Sequence, residues 1–392
     1  MLTQSFADAV VEAEKIIAAA PHVRTDQDLA EGYDYLAGSI QASLHLAWAH
    51  QRDFPYFVQS TGPYTKLGLD NPDTLYLHAY LRDDAEYIVT GQRGSTADLS
   101  FQVLNGDYSP VDVPESLTAF DDRRLDIGPD GAFELRFGPP RPDAPANYVP
   151  LGPGSAMLVV REVYSDWTRE RRGTLRIQRA DKLGTAPPAP DAALLAKRYS
   201  VAGKILLSRL RTFLAFPEWY YLKEPVNTMT PARRTPGGLA TQFSSAGHFD
   251  LRPDQAMIVT VPAASKDVAP YQGIQLGSMW YISLDYINHQ TSLTADQARA
   301  DADGMLRFVI SEPDPGVANW LELTGRTRGY VQIRWQGLTR DLVPADGPQV
   351  CVVPVAELAD RLPHYEQARI RTDEYRARIA ARQAAVANRM VG

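Results

Sequence analysis

The chain has 392 residues, of which 44% are hydrophobic and 22% charged, values usual for a soluble globular protein that exclude disorder, collagen-like repeats and coiled-coil rods. Forty basic and 47 acidic side chains leave a net charge of −7, so no global cationic field exists to hold nucleic acid or an anionic bilayer. The length predicts two or three domains, and the single cysteine, Cys351, excludes an intrachain disulfide.

In the opening MLTQSFADAVVEAEKIIAAA, Asp8, Glu12 and Glu14 interrupt what would be the apolar core of a signal peptide. No window approaches 18 apolar residues, so no membrane span is expected and the cytoplasm is the expected compartment. Phe6, Val10, Val11, Ile16 and Ile17 recur at helical spacing, as do Leu29, Leu36, Ile40 and Leu44, with Thr25 or Asp26 as candidate cap of the second helix. After Pro55 the texture becomes β-branched and aromatic, and EYIVTGQ, LSFQVLN, FELRFG, MLVVREVY and LRIQRA predict strands. The stiff GTAPPAPDA, with Pro187, Pro188 and Pro190, reads as a boundary. A helix outlined by Leu194, Leu195, Tyr199, Ile205, Leu206, Leu210 and Phe213 follows and is expected to stop before Pro217.

AMIVTVPA, MWYISLDY, LRFVISE, GYVQIRWQG and QVCVVPV predict a second strand set, and the apolar setting of Cys351 in the last predicts a buried structural thiol. The tail from Ala356 is helical, broken at Pro363. It mixes Arg369, Arg371, Arg376, Arg378, Arg382 and Arg389 with Glu366, Asp373 and Glu374, which fits a solvated or subunit-packing helix, the candidate surface for a homo-oligomer, better than a nucleic-acid arm.

The two strand sets share a pattern. DGAFELRFG, a Pro-rich loop, ANYV and a strand ending at Arg161 are matched by DGMLRFVIS, a Pro-containing loop, ANWL and a strand ending at Arg334. Asp130 to Asn147 spans 17 positions and Asp303 to Asn319 spans 16, with Asn147 and Asn319 172 residues apart. SFQVLNGDY and MWYISLDY are read as a further matched pair. A tandem duplication follows, in which each Asn satisfies loop backbone groups and Tyr148 or Trp320 anchors the loop. The expected fold is mainly β: two tandem jelly-roll-like sandwiches with N-terminal, linking and C-terminal helices. The expected boundaries are 1–54 for the N-terminal helices, 55–185 for the first β domain, 186–216 for linker and helix, 217–355 for the second β domain and 356–392 for the C-terminal helix.

At DNPDTLYLHAY (70–80), FQVLNGDY, the DG to ANYV block, MWYISLDY, DGMLRFVIS and ANWL, the chain resembles a bacterial family built of two consecutive domains of unknown function. The resemblance implies a double jelly-roll arrangement, similar in architecture to viral double-barrel capsid proteins, and no established reaction. Glu322 follows ANWL where family members often have Pro, and NHQTS follows MWYISLDY where many have an Asn-Arg-Tyr-Ser step.

No G-x-S-x-G elbow, P-loop or G-x-G-x-x-G fingerprint occurs, so neither an α/β-hydrolase serine nor a nucleotide cofactor is expected. The seven histidines include no H-E-x-x-H or H-x-H, and no metal site is assigned. Alternation after Pro72 puts Tyr76, His78 and Tyr80 on one face of a strand and Asp73 on the other, an imidazole between phenols suited to acid–base work. Asp70 and Asn71 precede it as candidate substrate contacts; the plain alternative is a simple Asx turn at Asp70 and Asn71 and a half-exposed sheet surface at the Tyr-His-Tyr row. A His289 and Asp285 partnership at a strand end is a second candidate. Trp219 and Tyr220, beside Glu218 and Tyr221, would wall an apolar ligand or close the contact between the β domains. Arg161 and Arg334 would clamp a carboxylate or pair with nearby acids.

The leading expectation is a soluble enzyme without nucleotide cofactor that acts on a small, partly apolar organic substrate by acid–base chemistry, hydrolysis or elimination, using Asp73, His78, Tyr76 and Tyr80. The alternative is a non-catalytic ligand-binding or assembly protein. An enclosed pocket with His78 at hydrogen-bond distance from a carboxylate would favour the first, a filled barrel with a large apolar outer patch the second.

Overall fold

A computed structural model describes residues 1–107, 114–234, 239 and 242–391, so Tyr108 of the FQVLNGDY run lies outside the described residues. Helices α1 (Gln4–Ala18), α2 (Asp26–Ala49) and α3 (Ala192–Tyr220) pack on one another. The buried face of α1 is Ala9, Ala13 and Ile17, while Val11 of the expected stripe faces outward. Thr25 starts α2 through a capping box: the Asp28 N–H donates to Thr25 Oγ1 and the Thr25 N–H to Asp28 Oδ2, both at 3.0 Å.

The first β unit contains β1 (Val58–Thr61), β2 (Thr74–Tyr80), β3 (Tyr87–Gln92), β4 (Asp98–Leu104), β5 (Ser116–Asp121), β6 (Ala132–Gly138), β7 (Tyr148–Pro150), β8 (Met157–Val163) and β9 (Thr174–Arg179). They form one sheet ordered β1-β2-β8-β4-β5 and a second ordered β7-β6-β3-β9. The second unit contains β10 (Arg233–Arg234), β11 (Phe243–Asp250), β12 (Gln255–Pro262), β13 (Tyr271–Gly277), β14 (Ser292–Thr294), β15 (Met305–Ser311), β16 (Trp320–Glu322), β17 (Arg328–Gln336) and β18 (Gln349–Pro354). Their orders are β10-β11-β17-β13-β14 and β16-β15-β12-β18.

Adding nine to every strand number of the first unit reproduces the second, parallel pairs β6–β7 and β15–β16 included. Alternating inward residues fill each unit: Tyr87, Phe101, Leu135, Phe137 and Val160 in the first, Met257, Val259, Phe308, Val331 and Trp335 in the second. The chain is therefore mainly β, with two sheet pairs and a few helices. The sandwich reading holds at that level, and the nine-strand order is the observed detail.

The repeated loops behave alike. Asn147 Nδ2 donates to the Asp126 carbonyl at 2.8 Å and its Oδ1 accepts from the Asp126 N–H at 2.7 Å. Asn319 makes the same pair of bonds with the Arg299 carbonyl and N–H at 2.7 and 2.8 Å.

Three sequence expectations are corrected. MWYISLDY is a looped segment, with Tyr281 at φ 56°, and the counterpart of FQVLN in the repeat is Tyr271–Gly277. Helix α3 runs through Pro217, because the proline falls in its last turn, where Phe216 and Tyr221 pack into an aromatic cluster. Cys351 is exposed, because β18 is a sheet edge whose alternation turns Val350 and Val352 toward the core and the thiol outward.

Pro363 separates α4 (Leu358–Arg361) from α5 (Tyr365–Ala368), and α6 (Thr372–Val391) follows. One face of α6 is used within the chain: Arg382 donates to the Tyr286 carbonyl at 3.1 Å and to the Ser292 carbonyl and hydroxyl at 3.0 and 2.9 Å. Among the described residues no helix is long and apolar enough to cross a membrane.

Candidate functional site

Gly68 and Leu69, both at positive φ, turn the chain into the DNPD segment, which lies between the two β units. Asp70 accepts from the Ser283 N–H at 3.0 Å and from its hydroxyl at 2.8 Å, and the Asp70 carbonyl accepts from Gln275 Nε2 at 2.9 Å. Asn71 makes the expected Asx turn, accepting from the Asp73 N–H at 3.1 Å, and its Nδ2 donates to the Tyr271 hydroxyl at 2.9 Å. Asp73 accepts from Trp167 Nε1 and from the Tyr271 hydroxyl, each at 2.7 Å. Burial raises its carboxyl pKa, opposed by those bonds and by Arg389 and Arg382. Asp70, Asn71 and Asp73 therefore staple the units together, and Asp73 does not meet His78.

Strand β2 then places Tyr76 and His78 on the wall of a cavity of about 120 Å³. The cavity sits between the inner sheets of the two units, roofed by α3 with Leu46 of α2. His78 Nδ1 lies 2.9 Å from Ser60 Oγ, and Nε2 makes no hydrogen bond among the described residues. Burial, then Arg209 and Arg161, push the imidazole pKa down to about 3, so the ring is neutral at physiological pH. Ser60 is fully buried behind the ring and fixes its orientation. The Tyr76 hydroxyl accepts from the Asn71 N–H at 3.0 Å, and the Tyr80 hydroxyl donates to Asp107 Oδ2 at 3.3 Å.

Arg161 and Arg334 enter the same cavity from opposite units. Arg161 donates to Gln102 Oε1 at 2.7 Å, and Arg334 to Gln275 Oε1 and the Leu69 carbonyl. Both Gln–Arg pairs are separated by 173 residues, so the duplication carries the pair as a unit. These described contacts of both arginines are to amide oxygens.

The remaining candidates lie elsewhere. His289 Nδ1 is 2.8 Å from Glu322 Oε2, while Asp285 accepts from the N–H groups of Ile287 and Asn288 and from Asn288 Nδ2 at 2.8–3.1 Å. The His289–Asp285 partnership is thus replaced by His289–Glu322, because Asp285 caps its own turn. Trp219 and Tyr220 end α3 and lean on Phe216, whose ring centroid is 4.6 Å from that of Tyr220. Phe216 and Tyr221 reach the cavity, whereas Trp219 and Tyr220 pack behind them.

Sequence reasoning missed Arg209 and Gln332, which also line the cavity. Arg209 is 6% exposed and Gln332 2%, and among the described residues the Arg209 Nε–H has no acceptor and Gln332 Oε1 no donor. The signal for Arg209 was present: Leu206, Arg209, Leu210 and Phe213 fall on one helical stripe, where an arginine is out of place. Among the described residues no three His, Cys, Asp or Glu side chains gather as a metal site. Two roomier hollows, one beside Trp167 and Arg389 and one beside Pro187 and Arg52, lie at the edges of the molecule and contain none of the β2 candidates.

No family model and no curated protein matches the chain. Among solved structures it is similar to an uncharacterised protein from Burkholderia cenocepacia, with 28% identity and a TM-score of 0.81 over 91% of this chain and 98% of the other. It is also similar to the VPA0106 protein from Vibrio parahaemolyticus, with 14% identity and a TM-score of 0.46 over 88% of this chain and 100% of the other. The chain thus shares its fold, across nearly its whole length, with a bacterial protein that is itself uncharacterised.

Proposed function

We propose that the protein is an enzyme, working without a nucleotide cofactor, that transfers a proton to or from a small, partly apolar organic molecule held in the cavity between its β units. The observation that carries this reading is His78: a neutral imidazole, oriented through Nδ1 by Ser60, with Nε2 left for the cavity. When Ser60 donates to Nδ1, Nε2 carries the proton and serves as acid; when Nδ1 donates to Ser60, Nε2 serves as base. Tyr76 supplies a phenol on the same wall, and Leu46, Leu104 and Met157 supply apolar surface. Hydrolysis and elimination are the reaction classes that such a proton transfer serves. Asp73 drops out of the chemistry, since both its oxygens are occupied at the seam.

The test is incubation of the full chain with a small-molecule cell extract read by untargeted mass spectrometry. At least one compound should be consumed by the wild type and spared by His78→Gln, with both proteins folded. If consumption is the same for both, the assignment of His78 is wrong. The second reading, a binding protein, is favoured by one observation: no carboxylate hydrogen-bonds His78 among the described residues. A compound that is retained by the wild type without turnover would establish it.

A further inference from the structure

We infer that the molecule bound in this cavity is a small organic carboxylate, gripped by Arg209 and Arg334, with its hydrocarbon part against Leu46, Phe213 and Met157. This rests on the reading of the cavity as the working site and names the class of molecule it takes.

Arg209 is the starting point. Taking a guanidinium out of water without an anionic partner is costly, and proteins that bury arginine surround it with acceptors. Arg209 is 94% buried by its 6% exposure, its Nε–H is orphaned, and no acceptor for it is present among the described residues. It stands on the apolar stripe of α3, where a leucine or methionine would satisfy packing. The partner it lacks is an acceptor anion.

The surroundings agree. Arg334 is held by two neutral oxygens, Gln275 Oε1 and the Leu69 carbonyl, so it is positioned without being neutralised. Among the described residues, Arg161, Arg209 and Arg334 line the space together with one carboxylate, Asp107, whose Oδ2 takes the Tyr80 hydroxyl. A guanidinium fork matches the two oxygens of a carboxylate. The remaining wall is apolar, which suits an anion with a carbon skeleton better than a bare inorganic ion. A cavity of about 120 Å³ is close to one that takes a benzene-sized guest, which limits the ligand to roughly six to eight heavy atoms. Gln332 Oε1, buried without a donor on the same wall, would accept from a hydroxyl or N–H of that ligand.

Calorimetric titration of the full chain with 3-hydroxybutyrate and hexanoate, with hexanamide and inorganic phosphate as controls, tests the inference. The carboxylates should bind, and hexanamide and phosphate should bind at least about tenfold more weakly. Arg209→Met should abolish carboxylate binding and, because no carboxylate pairs with this buried guanidinium among the described residues, raise the melting temperature; a merely structural arginine would lower it on replacement. Amide or phosphate binding equal to that of the carboxylates, no carboxylate binding, or an Arg209→Met protein that binds as the wild type does would overturn the inference. Carboxylate binding by the wild type without any turnover, or turnover that continues unchanged in His78→Gln, would sink the acid–base reading and leave the carboxylate site standing.

Discussion

The His78 imidazole stays neutral down to about pH 3 in the folded protein, whereas in the unfolded chain it takes a proton near 6.5. Between those values the unfolded state binds more protons, so this residue makes the fold lose stability as pH falls, by about 1.4 kcal/mol per pH unit. His22, lowered to about 4 chiefly by burial, acts in the same direction. Asp98 acts oppositely: burial, with Asp121 and Asp122 nearby, raises its pKa to about 7, so it stays protonated in the fold while the unfolded chain ionises, and stability falls as pH rises from about 4 to 7. Urea unfolding of His78→Gln between pH 6 and 4 should therefore show a slope shallower than wild type by about 1.4 kcal/mol per pH unit; an unchanged slope would mean that the ring protonates in the folded state. Asp73 has a different kind of importance. Asp73→Ala leaves Trp167 Nε1–H buried without an acceptor and the Tyr271 hydroxyl with only its 3.2 Å bond to Asn71 Oδ1, and is expected to cost about 3 kcal/mol in urea unfolding. Asp73→Asn keeps one acceptor and also lowers stability.

Strands β11 and β13 show why parts of the second unit were hidden from sequence reasoning. Their sequences, FSSAGHFD and YQGIQLG, lack the β-branched alternation that made β3, β8, β12 and β17 legible. The reason is close approach: a Cβ on Gly247 would overlap the Thr228 carbonyl oxygen, and one on Gly277 would overlap the Leu69 side chain. Gly247→Ala is accordingly expected to destabilise by about 2–3 kcal/mol, measurable by urea unfolding, and a loss under about 0.5 kcal/mol would show that the 225–230 segment shifts freely. MWYISLDY was misread for the complementary reason. Its apolar residues plug a gap instead of alternating in a sheet: Trp280 lies against His22 and Tyr35 and donates to the Asp28 carbonyl at 2.7 Å. The α2 cap, the DG turns and the Asn147 and Asn319 loops were legible because their chemistry is local. Tyr76 and His78 were legible as one face of β2 by alternation alone. The partners of Asp73 were not, because Tyr271 lies 198 residues away in sequence and Trp167 lies 94.

At the scale of the molecule, the duplication and the seam are connected. Two copies of one β unit place their inner sheets face to face, and the space left between them is the cavity that Arg161 and Arg334 of the two Gln–Arg pairs line. An ordinary inter-domain contact is polar, wet and loosely held. Here the seam carries Asp73, Tyr271, Asp70 and Ser283, each no more than 4% exposed, and Lys66, which donates to the Ser283 and Leu284 carbonyls at 2.8 and 2.7 Å. Separating the units would expose an aromatic cluster that includes Leu69 of the first unit with Tyr281 and Tyr330 of the second. It would also strand buried donors and acceptors on both sides, each costing about 1–3 kcal/mol. The two units should therefore melt as one. Scanning calorimetry of the full chain is expected to give a single transition whose calorimetric and van't Hoff enthalpies agree, despite a length at which independent domain melting is common. Ser283→Ala, which removes one hydroxyl from Asp70, should lower that one transition without splitting it. Two resolved transitions in the wild type would show that the seam is weaker than its burial implies, and that the cavity between the units opens as a hinge.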